Sequence, residues 1–189
     1  MNRAELKVLI QELMGDRKGK SFSGDQLSEA IEYAVNLYCE KTACTYQEIE
    51  ASRDGAFLDI PEGALKVIRV ASSVLGELDE TTITDEGSRR PNWRSDAVGE
   101  PNRWLRFNAA TVRIHPPPDS DPRTFTLGYV EAPDPIVDDQ DPISPFIAKN
   151  HLRLLRYAAA AWLLTDQGDE EDVQRAQAYM QIFNSSIGA

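Results

Sequence analysis

Two cysteines, two histidines and no long apolar run are the first limits on what this 189-residue chain can do. Cys39 and Cys44 stand five apart, on or just beyond a predicted helix, where a disulfide is geometrically awkward. No further cysteine or nearby histidine completes a metal set, so the reading is a reduced, cytoplasmic protein. The most apolar stretch, YAAAAWLL (Tyr157–Leu164), falls far short of the roughly 20 residues of a membrane span. The opening MNRAELKVLIQELMG carries Glu5 and Glu12 inside an amphipathic pattern, so it is not read as a signal peptide.

Positive charge is also scarce. Twenty Lys and Arg face 31 Asp and Glu, a net charge of −11, and the densest basic run is only SRRPNWR (Ser88–Arg94). Proteins that grip nucleic acid cluster their cations against the phosphates, so tight DNA binding is not expected. An acidic surface repels DNA, which suits a protein that DNA must slide past.

Catalytic signatures are missing. There is no GxxxxGK[ST], GxSxG, HExxH or paired CxxC. His115 stands at a strand end beside Pro116, and His151 lies on the inner face of a predicted helix. A lone histidine without a nucleophile and an orienting carboxylate is no catalytic unit, so both are read as packed and hydrogen-bonded. A hydrolase whose residues meet only in the fold would need one of them beside a nucleophile and an acid. The acidic run PDPIVDDQDP offers Asp134, Asp138, Asp139 and Asp141 as oxygen ligands, but it lacks ordered calcium-loop spacing and reads as solvated. No catalytic, cofactor or metal residue is assigned.

What is present has a clear order. RAELKVLIQELMG repeats Leu6, Leu9, Ile10 and Leu13 at helical spacing and stops at Gly15. Ser23 and Gln26 form a capping box before a second helix whose stripe is Leu27, Ile31, Ala34, Val35 and Tyr38. The middle changes period. Extended runs flank a turn at Arg53–Gly55, ALKVIRVASSV reads as the best strand, and RWLRF, TVRIHP and TFTLGYV supply the last strands. Between them Leu75–Pro101 is a long polar excursion with at most one strand. Ser144 and Pro145 predict a helix through FIAKNHLRLLRYAAAAWLLTDQ, stopped by Gly168. Asp169 caps the next helix, with Val173, Ala176, Met180 and Phe183 in series and Ile187 beyond a break at Ser185–Ser186. Helices at both ends around central strands predict an α+β fold. Residues 1–44 and 143–189 form a helical bundle, and residues 45–142 form an antiparallel sheet or sandwich.

Trp93 and Trp104 flank a polar stretch, where an aromatic pins a loop or serves an interface. The stretch VRIHPPPDSDPRTFTLGYVEAP (Val112–Pro133) joins two strands by three prolines and two acids. So stiff a turn loses little entropy when a neighbour docks; equally, it can end a hairpin and guard an edge.

The run from Glu100 to Ile136 resembles the head-to-tail adaptor (connector) proteins of tailed bacteriophages. The resemblance rests on Pro101, Trp104, Ile114, Pro116, Pro118, Tyr129 and Pro133, followed by His151, Leu154, Tyr157 and Ala158 in the next helix. The order of parts, two helices, a β module and two helices, extends the likeness over nearly the whole chain. It implies a virion structural protein at the head–tail interface, assembled in the host cytoplasm. It further implies a dodecameric ring of identical subunits that meets the portal on its helical side and a tail or nozzle protein on its β side. Genomic DNA would pass through without specific binding, and no membrane or cofactor would be involved. Interface candidates in the β module are Trp93, Arg94 and Trp104, with Pro116, Pro117, Pro118, Asp119 and Asp121 at the turn. Phe183 and Ile187 are candidates in the last helix. A tail-terminator or tail-completion ring is the alternative with the same surface chemistry.

Overall fold

The computed structural model describes residues 1–16, 21–119, 123–165 and 170–188. Helices α1 (Arg3–Met14) and α2 (Gly24–Thr42) come first. The strands are β1 (Tyr46–Glu50), β2 (Arg53–Asp54), β3 (Phe57–Asp59), β4 (Ala64–Ser72), β5 (Gly76–Glu77), β6 (Asp79–Glu80), β7 (Arg103–Arg106), β8 (Thr111–His115) and β9 (Phe125–Glu131). Helix α3 (Ile83–Arg89) and a 3-10 turn at Trp93–Ser95 lie between β6 and β7, and α4 (Leu155–Thr165) and α5 (Glu170–Ile187) end the chain. The fold class is α+β, and the chain divides into two compact units: Met1–Thr45 with Ala132–Ala189, and Tyr46–Glu131.

The helical unit is built around α4, which packs against α1, α2 and α5. Leu155, the four alanines Ala158–Ala161, Leu163 and Leu164 are all buried, as expected of a helix apolar on every side. The other helices bring one stripe each: Leu6 and Ile10 from α1, Leu27, Ile31, Ala34 and Tyr38 from α2, Ala176 and Phe183 from α5. Caps fix where they start. Asn2 and Glu5 exchange capping-box bonds at α1, and Ser23 and Gln26 do so at α2, while Gly15 closes α1 with φ 75°. At the end of α2, Ala43 takes φ 52° and turns the chain back. That places the free thiols of Cys39 and Cys44 with their sulfurs 3.2 Å apart, nearer than their spacing suggested.

Two sequence expectations in this unit are corrected. The fourth helix begins at Leu155, not near Pro145. Residues 146–154 form turns closed by i→i−3 bonds, such as His151 N to Ala148 O at 2.8 Å and Leu154 N to His151 O at 2.8 Å. Ser144 Oγ accepts from Phe146 N, and His151 Nδ1 is drawn to the Tyr38 hydroxyl at 2.9 Å. The last helix, in turn, runs through Ser185–Ser186 without a break. Ser185 Oγ donates back to Ile182 O, so the serine satisfies itself inside the helix. The stop at Gly168 and the cap at Asp169 lie outside the described residues.

The β unit is a sandwich. One sheet has the order β1-β9-β4-β5 and the other β2-β3-β8-β7-β6, antiparallel except for the parallel β6–β7 pair. Their inner faces share one core, with Val67, Val70, Phe125, Leu127 and Tyr129 from the first sheet and Leu58, Trp104, Val112 and Ile114 from the second. The excursion after Leu75 is corrected too. It holds β5, β6, α3 and the 3-10 turn, and Thr82 caps α3 by accepting from Asp85 N.

Candidate functional site

Strand β8 is buried on both faces. Val112 and Ile114 enter the sandwich core, while Arg113 and His115, at 7 % and 0 % exposed, point to the opposite face. The excursion covers that face. Trp93 stands edge-on to His115 with ring centroids 5.8 Å apart, and the Arg113 guanidinium lies 4.8 Å from the Trp93 ring centre. Arg113 Nη2 also donates to Arg94 O at 2.9 Å.

Charges under this cover are mostly paired. Glu86 is 0 % exposed; its Oε1 accepts from Arg103 Nη1 at 2.6 Å and from the Thr81 hydroxyl at 3.1 Å. Asp96 Oδ2 stands 3.2 Å from His115 Nε2 and accepts from Arg90 at 3.1 Å. The His115 pair is off hydrogen-bond alignment, and neither imidazole nitrogen has a hydrogen-bonded partner. Burial lowers the His115 pKa from its ordinary value, against the upward pull of Glu86 and Asp96, so the ring is neutral near pH 7.

The proline run belongs to the same assembly. Gly99 N donates to Pro117 O at 2.9 Å, and Asn102 N to His115 O at 3.2 Å. Pro118 is buried and Pro116 and Pro117 half-buried, so the prolines hold the end of the excursion against β8. The exposed part of the turn begins at Asp119, which lies 4.0 Å from Arg123.

The structure therefore brings Trp93, Arg94 and Pro116–Pro118 together and places Trp104 on the inner face of the same sheet. Trp93 and Trp104 are 1 % and 2 % exposed and Phe183 is 0 % exposed, so all three are engaged in the chain's own packing. Arg94 and Asp119 are exposed and Ile187 is half-buried; Asp121 lies outside the described residues.

The acidic run between β9 and α4 is tied to the start of the first helix. Arg3 donates to Asp139 at 2.6 Å and to the carbonyls of Ile136 and Val137 at 2.5 and 3.0 Å. Lys7 adds bonds to both Asp139 oxygens at 2.9 and 3.1 Å. Those cations hold the Asp139 carboxyl below the usual carboxylate range. The run is thus a pinned loop and not a freely solvated cluster.

None of this assembles a reaction centre. His115 faces two carboxylates, two arginines and a tryptophan, and His151 faces a tyrosine hydroxyl. Among the described residues no helix is long and apolar enough to cross a membrane, and no cluster of three or more acidic, cysteine or histidine groups is placed to hold a metal. What the site offers is a stiffened surface.

The whole chain, residues 1–189, matches the family described as SU10 adaptor protein. The chain belongs to the SU10 adaptor protein family. No curated protein matches it. The match agrees with the resemblance carried by the prolines, aromatics and order of parts. The SU10 adaptor family is one of phage structural proteins and not of enzymes, which makes the protein a virion component.

Sequence reasoning missed the set formed by the buried Glu86 and Arg113 and the half-buried Asp96 and Arg103. Two signals pointed toward it. Thr82-x-x-Asp85 is a helix-cap pattern inside the excursion. In β8, Arg113 and His115 alternate with Val112 and Ile114, which marks a second face that needed a partner.

Proposed function

We propose that the protein assembles as a dodecameric ring that joins the portal to the tail and extends the channel through which DNA passes. The observation that carries this reading is the family match over the full length of the chain. The net charge of −11 supports it, because a channel wall with excess acid does not retain passing DNA. The helical unit is assigned to the portal side and the β unit to the next tail or nozzle component. Arg94, Pro116, Pro117, Asp119 and Ile187 are the candidates with surface available for such contacts. Trp93, Trp104, Pro118 and Phe183 act from beneath, by keeping that surface rigid.

The test mixes the purified protein with portal rings of the same virus and images the product by electron microscopy. A closed ring stacked coaxially on the tail-facing end of the portal is the expected result. Rings that form instead on tail tubes, with no portal binding, would replace the adaptor role by that of a tail terminator.

A further inference from the structure

The most exposed large apolar side chain among the described residues is Val137, at 85 %. It is not on a loose tail. The carbonyls on either side of its peptide bonds, Ile136 O and Val137 O, both accept from Arg3. Ala4 N donates to Asp139 O, and Asp138 and Asp141 close a turn on each other at 2.9 and 3.1 Å. The loop is fixed in a shape that holds a valine out in water. A docking surface gains from being preorganised in this way.

A matching receptor lies on the same unit. A groove of about 640 Å³ has an apolar lining of Met1, Val8, Leu9 and Leu152. Val8 is 52 % exposed there. Lys149 and Arg153 stand at its margin, both exposed and with no side-chain ion pair or hydrogen bond to any of the described residues, in a chain that is otherwise strongly acidic. Glu5, also at the margin, is countered by the N-terminal amine at 3.8 Å. The projecting loop carries the opposite charge, with Asp134 and Asp138 exposed on either side of Val137.

Helix geometry separates the two surfaces. At 100° per residue, Arg3 and Lys7, which hold the loop, share one flank of α1. Glu5, Val8 and Leu9, which line the groove, lie on roughly the opposite flank. Complementary patches on opposite flanks cannot meet within one copy. Between copies the only contact open to them is head-to-tail, the kind that gives a ring when its rotation closes.

We propose that the 134–141 loop of one copy docks into the α1 groove of the next, with Val137 on the apolar floor and Asp134 and Asp138 beside Lys149 and Arg153. The inference rests on the ring reading and names its subunit contact. Val137→Asp and Val8→Asp alter exposed side chains, so both variants keep the fold, which circular dichroism and thermal melting verify. The full-length proteins are then compared by sedimentation equilibrium, singly and mixed. The wild type is expected to self-associate, and each variant alone to associate at least about tenfold more weakly. The mixture is expected to recover a dimer and stop there, because one variant retains a working loop and the other a working groove. Variants that associate like the wild type, a mixture that gives no dimer, or a wild type that stays monomeric throughout would each overturn the contact. Imaging the same samples with portal rings separates the two readings. Variants that still close rings on the portal refute the surface and leave the ring. A wild type that closes no ring while the mixture dimerises refutes the ring and keeps the surface.

Discussion

Glu86 Oε1 accepts from Arg103 Nη1 at 2.6 Å, with the Glu86 side chain sealed from solvent and the Arg103 side chain 19 % exposed. The pair binds α3 to β7 and so fastens the covering segment to the sheet. Removing one partner of a buried pair leaves the other charge without its counterion, a loss of 3–5 kcal/mol in the fully buried limit, reduced where the survivor reaches water. Glu86→Gln is therefore expected to destabilise the β unit by about 2–3 kcal/mol in urea denaturation. Arg69→Ala, which breaks the surface bonds to Glu48 and Glu77, is expected to leave it nearly unchanged, because solvent screens that exposed pair. Equal effects would show that the cover is not anchored by Glu86.

His115 gives the same region a pH dependence. Its folded pKa is lowered by burial, so in the window below its ordinary value the unfolded chain binds the extra proton. Stability from this group is complete above about pH 6.5 and falls as the pH drops toward the folded pKa, by at most about 1.4 kcal/mol per pH unit. Glu86, Asp96, Arg103 and Arg113 all face the ring, and the carboxylates soften the loss. The measurement is the difference in urea stability between wild type and His115→Gln across that window. A steeper decline in the wild type is expected; parallel curves would mean that His115 is not held neutral.

Gly128 answers a different constraint. It pairs with Glu48 in β1, and a Cβ placed on it would stand 3.0 Å from the Cε2 and Cζ atoms of Tyr46, whose ring lies across the glycine. Tyr46 hydrogen-bonds Glu48, which in turn accepts from Arg69 at 2.9 Å. Gly128→Ala should push the ring aside and cost about 1 kcal/mol. In a Tyr46→Ala background the same substitution should be neutral or stabilising, since alanine then only lowers the entropy of the unfolded chain. The cycle is read from four melting curves, those of the wild type, each single variant and the double variant, and an unchanged cost in both backgrounds would dismiss the clash.

The helices and main strands were legible because each carries its own signal. The capping box at Ser23/Gln26 and the apolar stripes of α1 and α2 depend on residues three or four apart. The covering segment was not legible, because its logic is long-range: Trp93 has meaning only once Arg113 and His115 are on the face it covers. The start of α4 was misplaced for a related reason. Ser144 and Pro145 are good local start signals, yet the bond from His151 to Tyr38, 113 residues away, goes with a run of turns before Leu155. Trp104 and Phe183 looked like interface aromatics because a sequence does not distinguish a tryptophan or phenylalanine facing a partner from one facing its own core.

The end of α5 lets folding and assembly be tested apart. Phe183 is fully buried, whereas the residues after it are exposed or half-buried, with Ile187 the one large apolar side chain. Deleting residues 184–189 removes the last helical turn but leaves Phe183 in place, so the expected loss in stability is small, about 1 kcal/mol. If Ile187 serves a subunit or portal contact, assembly suffers more, because an interface concentrates its energy in a few apolar anchors. The comparison is between the melting temperature of the truncated chain and the fraction of portals that carry a ring in electron micrographs. A chain that melts within a few degrees of the wild type yet decorates few portals would place the α5 terminus in the assembly surface. Losses of equal size in both would make Ile187 a folding residue and remove it from the interface.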